Sequence, residues 1–400
     1  MNQQRASFLS LNVRGASNFK KRRTIFTWAR RKRADIVLLQ ETHSTGDMEK
    51  TWKGDWGGNV YFSHGKSNAR GVCIMVRKGL DFEVEKEVSD NSGRFLLLKA
   101  NLEGENVYVV NVYAPNNETK AVDYFHKVNL LLQKENIDAF SNIIMGGDFN
   151  CALNPFLDRK SVSSNMSMKH PLVNAISELM RTFDLQDLWR IRNPTLKSYT
   201  WSHRTKIQFS RIDYWLTSSS LQEYIGNIDI IGAVKSDHSA ISLTLNKQDD
   251  DIRGPGFWKF NCQLLEDENY VAEVEKMIGE LAKTKETDFQ NPNAYWEWLK
   301  YNFRKHGISY SKKKAFERRN KEFEIEKNLK KAKASFENNP SMAHRLEIQK
   351  NQDLLDGFYE EKAKGARLRA KVRWYENGER STKYFFNLEK RNAVKKCIRN

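Results

Sequence analysis

Along the first 247 positions the apolar residues come in short runs, separated by polar breaks that often contain glycine or proline. Residues 7–13, 72–76, 95–100, 107–112, 143–145, 210–215 and 240–245 read as strands. The unbroken run Ile36-Val37-Leu38-Leu39-Gln40 reads as a strand buried on both faces. Helical spacing appears at 20–33, with Ile25, Trp28 and Ala29 on one face, and again at 121–135 and 171–182. Many strands and few helices predict an α/β chain with two sheets face to face and helices outside.

The pattern changes at 246–256, a polar stretch with Asp249, Asp250 and Asp251 that ends in Gly254-Pro255-Gly256. This places one domain over 1–247, a linker over 248–256, and a mostly helical basic region over 257–400. Within that region 257–310 is mixed and aromatic. Lysine and arginine crowd a helical pattern over 311–333, striped by Phe316, Phe323 and Leu329. Asn338-Asn339-Pro340 breaks it, and a second helix over roughly 341–370 suggests an antiparallel hairpin.

Charge adds a partner. The net charge is +17 over 400 residues. Up to Asp250 there are 34 basic and 27 acidic residues, and beyond it 33 and 23 over a shorter span. Such an excess favours a polyanion, most often nucleic acid, over a merely solvated basic surface. Cys73, Cys151, Cys262 and Cys397 are too scattered for a zinc site and fit a reducing compartment. The N-terminus has no signal core and no run is long enough to span a membrane, so an intracellular protein is expected.

The most telling segment is Gly146-Gly147-Asp148-Phe149-Asn150, directly after Ile143-Ile144-Met145. It delivers an aspartate and an asparagine to a sheet rim, where they can orient a water for attack on phosphorus. Other polar residues stand at or beside strand ends. Glu41 suits Mg²⁺, a hard ion that takes oxygen ligands, although a surface salt bridge would also explain it. Asn12 reads as a turn residue or as an aid to metal or phosphate. Tyr113 reads as a packed ring or as a hydroxyl donor to phosphate. Asp213 lies between apolar neighbours and needs a partner. His238, in Ser236-Asp237-His238-Ser239, is the natural one, and the pair would favour the imidazolium.

These segments resemble the endonuclease/exonuclease/phosphatase superfamily. The matching strings are Leu11-Asn12-Val13-Arg14-Gly15, Gln40-Glu41-Thr42-His43, Asn111-Val112-Tyr113-Ala114-Pro115, Gly147-Asp148-Phe149-Asn150, Arg211-Ile212-Asp213-Tyr214 and Ser236-Asp237-His238-Ser239. They look most like the apurinic-endonuclease-type domain of LINE-type (non-LTR) retrotransposon polyproteins. The stretch 374–392, from Trp374-Tyr375-Glu376-Asn377 to Lys390-Arg391-Asn392, is similar to the lead-in to the reverse transcriptase of those polyproteins. No polymerase motif follows it, so polymerase activity is not expected of this chain.

The resemblance implies a four-layer sandwich and a set of roles. Glu41 would bind Mg²⁺, with Mn²⁺ as a substitute, and Asn12 and Asp237 would lie near the ion. Asp148 would deprotonate the attacking water and Asn150 would hold it. Tyr113 would sit near the leaving oxygen. Asp213 would orient His238, which would stabilise the phosphorane. Thr200, Ser236 and Arg14 would contact DNA. The implied partners are double-stranded target DNA and, as an open question, the element's RNA, with no organic cofactor. The implied activity is a single-strand nick whose 3′-hydroxyl primes reverse transcription in the nucleus, after synthesis in the cytoplasm. The competing expectations are a stand-alone abasic-site repair endonuclease, a phosphoinositide phosphatase or RNA deadenylase of the same fold, and a non-catalytic nucleic-acid-binding protein.

Overall fold

A computed structural model describes residues 4–65, 68–161, 171–203, 208–246, 260–283 and 292–377. The chain starts with β1 (Gln4–Asn12), α1 (Phe19–Arg31), β2 (Ile36–Gln40), α2 (Glu49–Trp56), β3 (Asn59–Ser63) and β4 (Val72–Val76). It continues with β5 (Phe82–Ser89), β6 (Phe95–Leu102), β7 (Glu105–Tyr113), α3 (Glu118–Lys134) and β8 (Ile143–Asp148). Next come α4 (Pro155–Asp158), β9 (Arg159–Ser161), α5 (Pro171–Thr182), β10 (Leu185–Gln186) and α6 (Leu188–Arg192). The last strands are β11 (Trp201–Ser202), β12 (Gln208–Ser210), β13 (Asp213–Ser218), β14 (Ile225–Ile231) and β15 (Ala240–Asn246). Three helices follow: α7 (Glu268–Leu281), α8 (Pro292–Asn338) and α9 (Met342–Asn377).

Two six-stranded mixed sheets form, in the orders β14-β15-β1-β2-β4-β3 and β10-β13-β8-β7-β6-β5. Their facing surfaces share one core, with Phe8, Leu38 and Ile74 from the first and Leu98, Val109, Ile144 and Trp215 from the second. The outer face of the second sheet carries Leu97, Val110 and Met145 against Phe125 and Leu132 of α3 and Ile176 and Leu179 of α5. Outside the first sheet, Phe26 of α1 meets the edges of Trp52 and Trp56 of α2 at 5.6 and 5.7 Å. This is the expected sandwich with helices on both sides. It arises because the runs 36–40 and 72–76 have no exposed face and must be covered twice.

One predicted strand is broken. Residues 210–215 do not run straight: β12 pairs with β9 and β11 in a small third sheet, and β13 pairs with β8 in the second large sheet. The turn between them is fixed by Arg211, which is 2% exposed. Its guanidinium donates to Asp158 at 2.8 and 3.0 Å and to Asp187 at 3.2 and 2.6 Å. A cation needing two buried carboxylates dictates the corner over local strand propensity.

Other differences follow from packing. β3, β5 and β14 escape the sequence pattern because each is only half-buried at a sheet edge or beside it. The predicted helix at 311–333 is part of the 47-residue α8, and Asn339-Pro340 separates it from α9. The expected linker at 248–256 lies outside the described residues. Compact grouping divides the chain into Met1–Asp250 with Ser335–Asn400, and Asp251–Ala334. The helical region expected over 257–400 is thus shared between two units, and α9 packs against α1 in the first. No helix among the described residues is long and apolar enough to cross a membrane.

Arg211→Met should lower folding stability by about 3–5 kcal/mol, because Asp187 would remain buried without its cation and the fully buried Asp158 would keep only Arg190. Urea denaturation measures this directly. A midpoint equal to that of the parent chain would show that the corner does not depend on the ion pairs.

Candidate active site

The parallel pairs place the polar residues at one end of both sheets. Asn12 is level with Gln40 in the first sheet, and Tyr113 is level with Asp148 in the second. Asp213, opening the antiparallel β13, is also level with Asp148. The sheets are joined just below this end by a buried amide pair. Gln40 Nε2 donates to Asn111 Oδ1 at 2.7 Å, and Asn111 Nδ2 donates to the Leu39 and Cys73 carbonyls at 3.0 and 2.9 Å.

Asp148 and Asn150 reach the site because Phe149 points the other way. Its ring is fully buried between Phe125 and Tyr214, with centroids 5.7 and 5.5 Å away. Gly147 allows the strand to end there. It has φ +143°, and a Cβ on it would stand 2.0 Å from the Val112 carbonyl. Asn150 turns back in the left-handed region at φ 48°. Its N–H donates to Asp148 Oδ1 at 2.9 Å and its side-chain amide to the Ala114 carbonyl at 2.8 Å. Arg14, Glu41 and His43 share that unusual backbone region, which concentrates strain in the loops at this end.

The side chains converge. Asn12 Nδ2 donates to Glu41 Oε1 and to Asp148 Oδ2, both at 2.9 Å. Tyr113 donates its hydroxyl to the same Glu41 Oε1 at 3.0 Å. His238 Nδ1 lies 3.0 Å from Asp213 Oδ2, with both residues buried. Asp148, Asp213 and His238 offer atoms within 4.8 Å of one another. Burial alone would discharge His238, but the Asp213 carboxylate, and behind it Asp148, raise its pKa to about 9. Burial first, and then the Asp213 charge, push the Asp148 carboxyl well above the usual carboxylate range, against His238, Asn12 and the Asn150 N–H. Burial and the neighbouring Glu41 charge keep the Tyr113 phenol protonated. One end of the sheets therefore holds a proton acceptor, a cation and a hydroxyl donor.

The loop residues divide into partners and supports. Arg14 Nη1 pairs with Asp237 Oδ2 at 2.6 Å, with the arginine side chain 43% exposed. Ser236 Oγ donates to the Asn12 carbonyl at 2.6 Å and accepts the His238 N–H at 3.0 Å, so its hydroxyl holds the loop. Thr200, expected at the DNA surface, is 1% exposed. Its hydroxyl accepts the N–H groups of Ile212 and Asp213 at 3.0 and 3.2 Å, which makes it a support for Asp213 rather than a surface contact. Sequence reasoning missed Arg94. Its guanidinium lies 4.7 Å from the Tyr113 ring centroid and donates to the Tyr113 carbonyl at 3.0 Å. An isolated arginine ahead of a strand gives no signal of that contact.

A hard divalent cation fits the donors beside this cluster. Glu41, Asn12 and Asp237 offer oxygens, and Asp237 Oδ1 is buried without a hydrogen-bond partner. The bonds that fix Glu41 converge on Oε1. Asp148, Asp213 and His238 form a second group of close donors, but there the Asp213 carboxylate is already engaged with His238 Nδ1 at 3.0 Å.

The chain belongs to the Endonuclease/Exonuclease/phosphatase family, whose model matches residues 9–238. Among its relatives is the Transposon TX1 uncharacterized 149 kDa protein of Xenopus laevis, 27% identical over 395 residues. That match covers 98% of this chain and 29% of the relative, so the chain spans under a third of that protein's length. It runs through the helical region, which agrees with the transposon resemblance, although the stretch from 378 onward lies outside the described residues. An exodeoxyribonuclease of Bacillus subtilis (strain 168) is 27% identical over 255 residues, covering 60% of this chain and 98% of its own. The AP endonuclease LMAP from Leishmania major shares the fold, with a TM-score of 0.52 at 18% identity over 60% of this chain and 88% of that one.

Asp213→Asn should bring His238 down from about 9 towards its ordinary value, because the anion that favours the imidazolium is gone while burial remains. NMR titration of the metal-free protein reads this. A histidine that still titrates near its parent value would mean that Asp213 does not set its charge.

Proposed function

We propose that this chain is a Mg²⁺-dependent DNA endonuclease that nicks one strand of duplex DNA. The observation that carries the reading is the Asn12 amide, bonded at once to Glu41 and to Asp148 beside the Asp213–His238 pair. A charge-neutralising site and a water-activating site are thereby held side by side. The family membership supports phosphodiester chemistry. A relative from Dictyostelium discoideum named a DNA-(apurinic or apyrimidinic site) endonuclease, 26% identical over 236 residues, supports DNA as the substrate.

Asp148 accepts a proton from a water held against Asn150, and the water oxygen attacks phosphorus in line with the leaving O3′. The P–O3′ bond breaks, and O3′ takes a proton from solvent and leaves as a 3′-hydroxyl, while the phosphate stays on the 5′ terminus of the other fragment. His238, held cationic by Asp213, donates to a non-bridging oxygen of the phosphorane, whose extra negative charge it offsets. Tyr113, kept protonated, donates near the leaving oxygen. Glu41, with Asn12 and Asp237 beside it, would hold Mg²⁺, which would supply Lewis-acid neutralisation of the phosphate. Arg14 lies on the open side, where backbone phosphates would approach.

The biological setting is part of the same proposal. Similarity to a transposon protein along nearly the whole chain supports a nick whose 3′-hydroxyl primes reverse transcription by a polymerase beyond this region. The target is chromosomal DNA, hence the nucleus. The nick position would be read from groove shape and flexibility, since the site residues address phosphate rather than bases.

Supercoiled plasmid should convert to open circles with Mg²⁺ and not with EDTA. Asp148→Ala and His238→Ala should each lower the rate by at least about 100-fold. Equal cleavage by the parent and Asp148→Ala would refute the mechanism. Strong preference for an abasic duplex over an intact one would move the reading to a repair endonuclease. Hydrolysis confined to inositol phosphates or RNA would replace DNA as the substrate.

A further inference from the structure

The loop that delivers Asp237 and His238 is fastened from two sides. On the site side Ser236 bonds the Asn12 carbonyl and the His238 N–H, and the Ser239 N–H donates to the Thr200 carbonyl at 2.6 Å. On the opposite side the fastening comes from α9, far along the chain and beyond the stretch matched by the family model. Gln352 Nε2 donates to the Ala233 carbonyl at 2.9 Å and to Asp356 Oδ1 at 3.1 Å. The same Asp356 Oδ1 accepts the backbone N–H of Lys235 at 3.0 Å. Lys235 Nζ meets Glu360 Oε1 at 2.7 Å and Asp356 Oδ2 at 3.7 Å.

Lys235 sits at φ 56°, a left-handed conformation that a lysine adopts only when its surroundings hold it. The N–H of the residue in this conformation is accepted by Asp356. Asp356 is thus placed to stabilise the one unfavourable backbone step that precedes Ser236-Asp237-His238. The docking around it is substantial. Leu355 and Tyr359 are fully buried, as is Val234 in the loop. α9 also packs on α1, whose Lys21 Nζ donates to the carbonyl of Arg14, the partner of Asp237, at 3.0 Å. At the start of α9, Arg345 donates to the His203 carbonyl at 3.1 Å and stacks on Phe336, whose ring meets Phe209 of β12. The Glu337 carbonyl accepts from Lys160 of β9. α9 therefore touches the 233–235 backbone, α1 and His203, while the end of α8 meets β9 and β12.

We propose that α9 is a working part of the active site, with Asp356 and Gln352 as positioning residues that aim Asp237 and His238 by fixing the 233–235 backbone. The proposal rests on the endonuclease reading of those two residues. Displacement of a reacting group by about 1 Å can cost two orders of magnitude in rate, so a loop held on one side only would be a poor catalyst.

The test uses the full chain with Asp356→Ala, Asp356→Asn and Gln352→Ala. Single-turnover nicking of a duplex oligonucleotide is read beside duplex affinity and amide hydrogen exchange over 234–239. Asp356→Ala is expected to slow nicking about tenfold at unchanged affinity and to speed exchange in that loop. Asp356→Asn, which keeps the oxygen that accepts the Lys235 N–H, is expected to recover most of the rate. If Asp356→Ala does not fold, Gln352→Ala carries the test with a smaller loss. Parental rates in the folded variants would overturn the proposal. So would a rate loss matched by lost affinity and not recovered by asparagine. If the parent chain itself fails to nick, the active-site reading fails instead. Exchange over 234–239 then decides the clamp alone, and protection equal to the parent's in Asp356→Ala would overturn it.

Discussion

The site depends on one side chain that belongs to two carboxylates. Asn12 is fully buried at the end of a strand in one sheet, and its amide reaches Asp148 in the other sheet, 136 residues away. Its second bond goes to Glu41, and its oxygen accepts the Arg14 N–H at 3.1 Å. A neutral donor is needed here. A carboxylate of the same shape would add a third negative group beside Glu41 and Asp148, and an alkyl group would take one donor from each. The distance it spans is set by the packing of Phe8, Ile144 and Trp215 between the sheets, so the geometry of the chemistry is a property of the hydrophobic core.

The electrostatics follow from that placement. Two aspartates and one histidine share a region with little access to water. There burial opposes every charge, and each ionised state survives only through its neighbours. Asp213 holds His238 positive, and the same Asp213 makes Asp148 reluctant to stay negative. A cation and a basic carboxylate thus come from one arrangement, and it suits a reaction that first removes a proton and then accumulates negative charge. Backbone strain at Arg14, Glu41, His43 and Asn150 is compatible with it because each loop grows from a buried strand or is anchored by a buried ring.

The helical region changes character once it is seen folded. Its lysines and arginines add to the excess that favours a polyanionic partner, and the sequence places it beyond a linker. In the structure α9 returns to the first unit, burying Leu355 and Tyr359 and facing acidic side chains toward Lys235. An acidic residue in a basic helix is easily passed over, yet here it makes the contact that matters.

Which residues stand at strand ends can be read from the chain alone. Apolar runs closed by Asn12, Glu41, Tyr113 and Asp148 are local facts, set by side-chain periodicity and by glycines such as Gly147, at whose backbone a Cβ would not fit. The Asp213–His238 pairing was legible too, because a charged residue between apolar neighbours demands a partner. The rest was decided by tertiary structure. The Thr200 hydroxyl, expected near DNA, accepts the N–H groups of Ile212 and Asp213 inside the core, and the half-buried Ser236 hydroxyl donates to the Asn12 carbonyl. The corner at Arg211, the stacking of Arg94 on Tyr113 and the hold of Asp356 on Lys235 join residues that no local pattern relates. Periodicity reports which face a residue is on. Which oxygen it meets across the core is fixed only when the two sheets and the returning helix have packed.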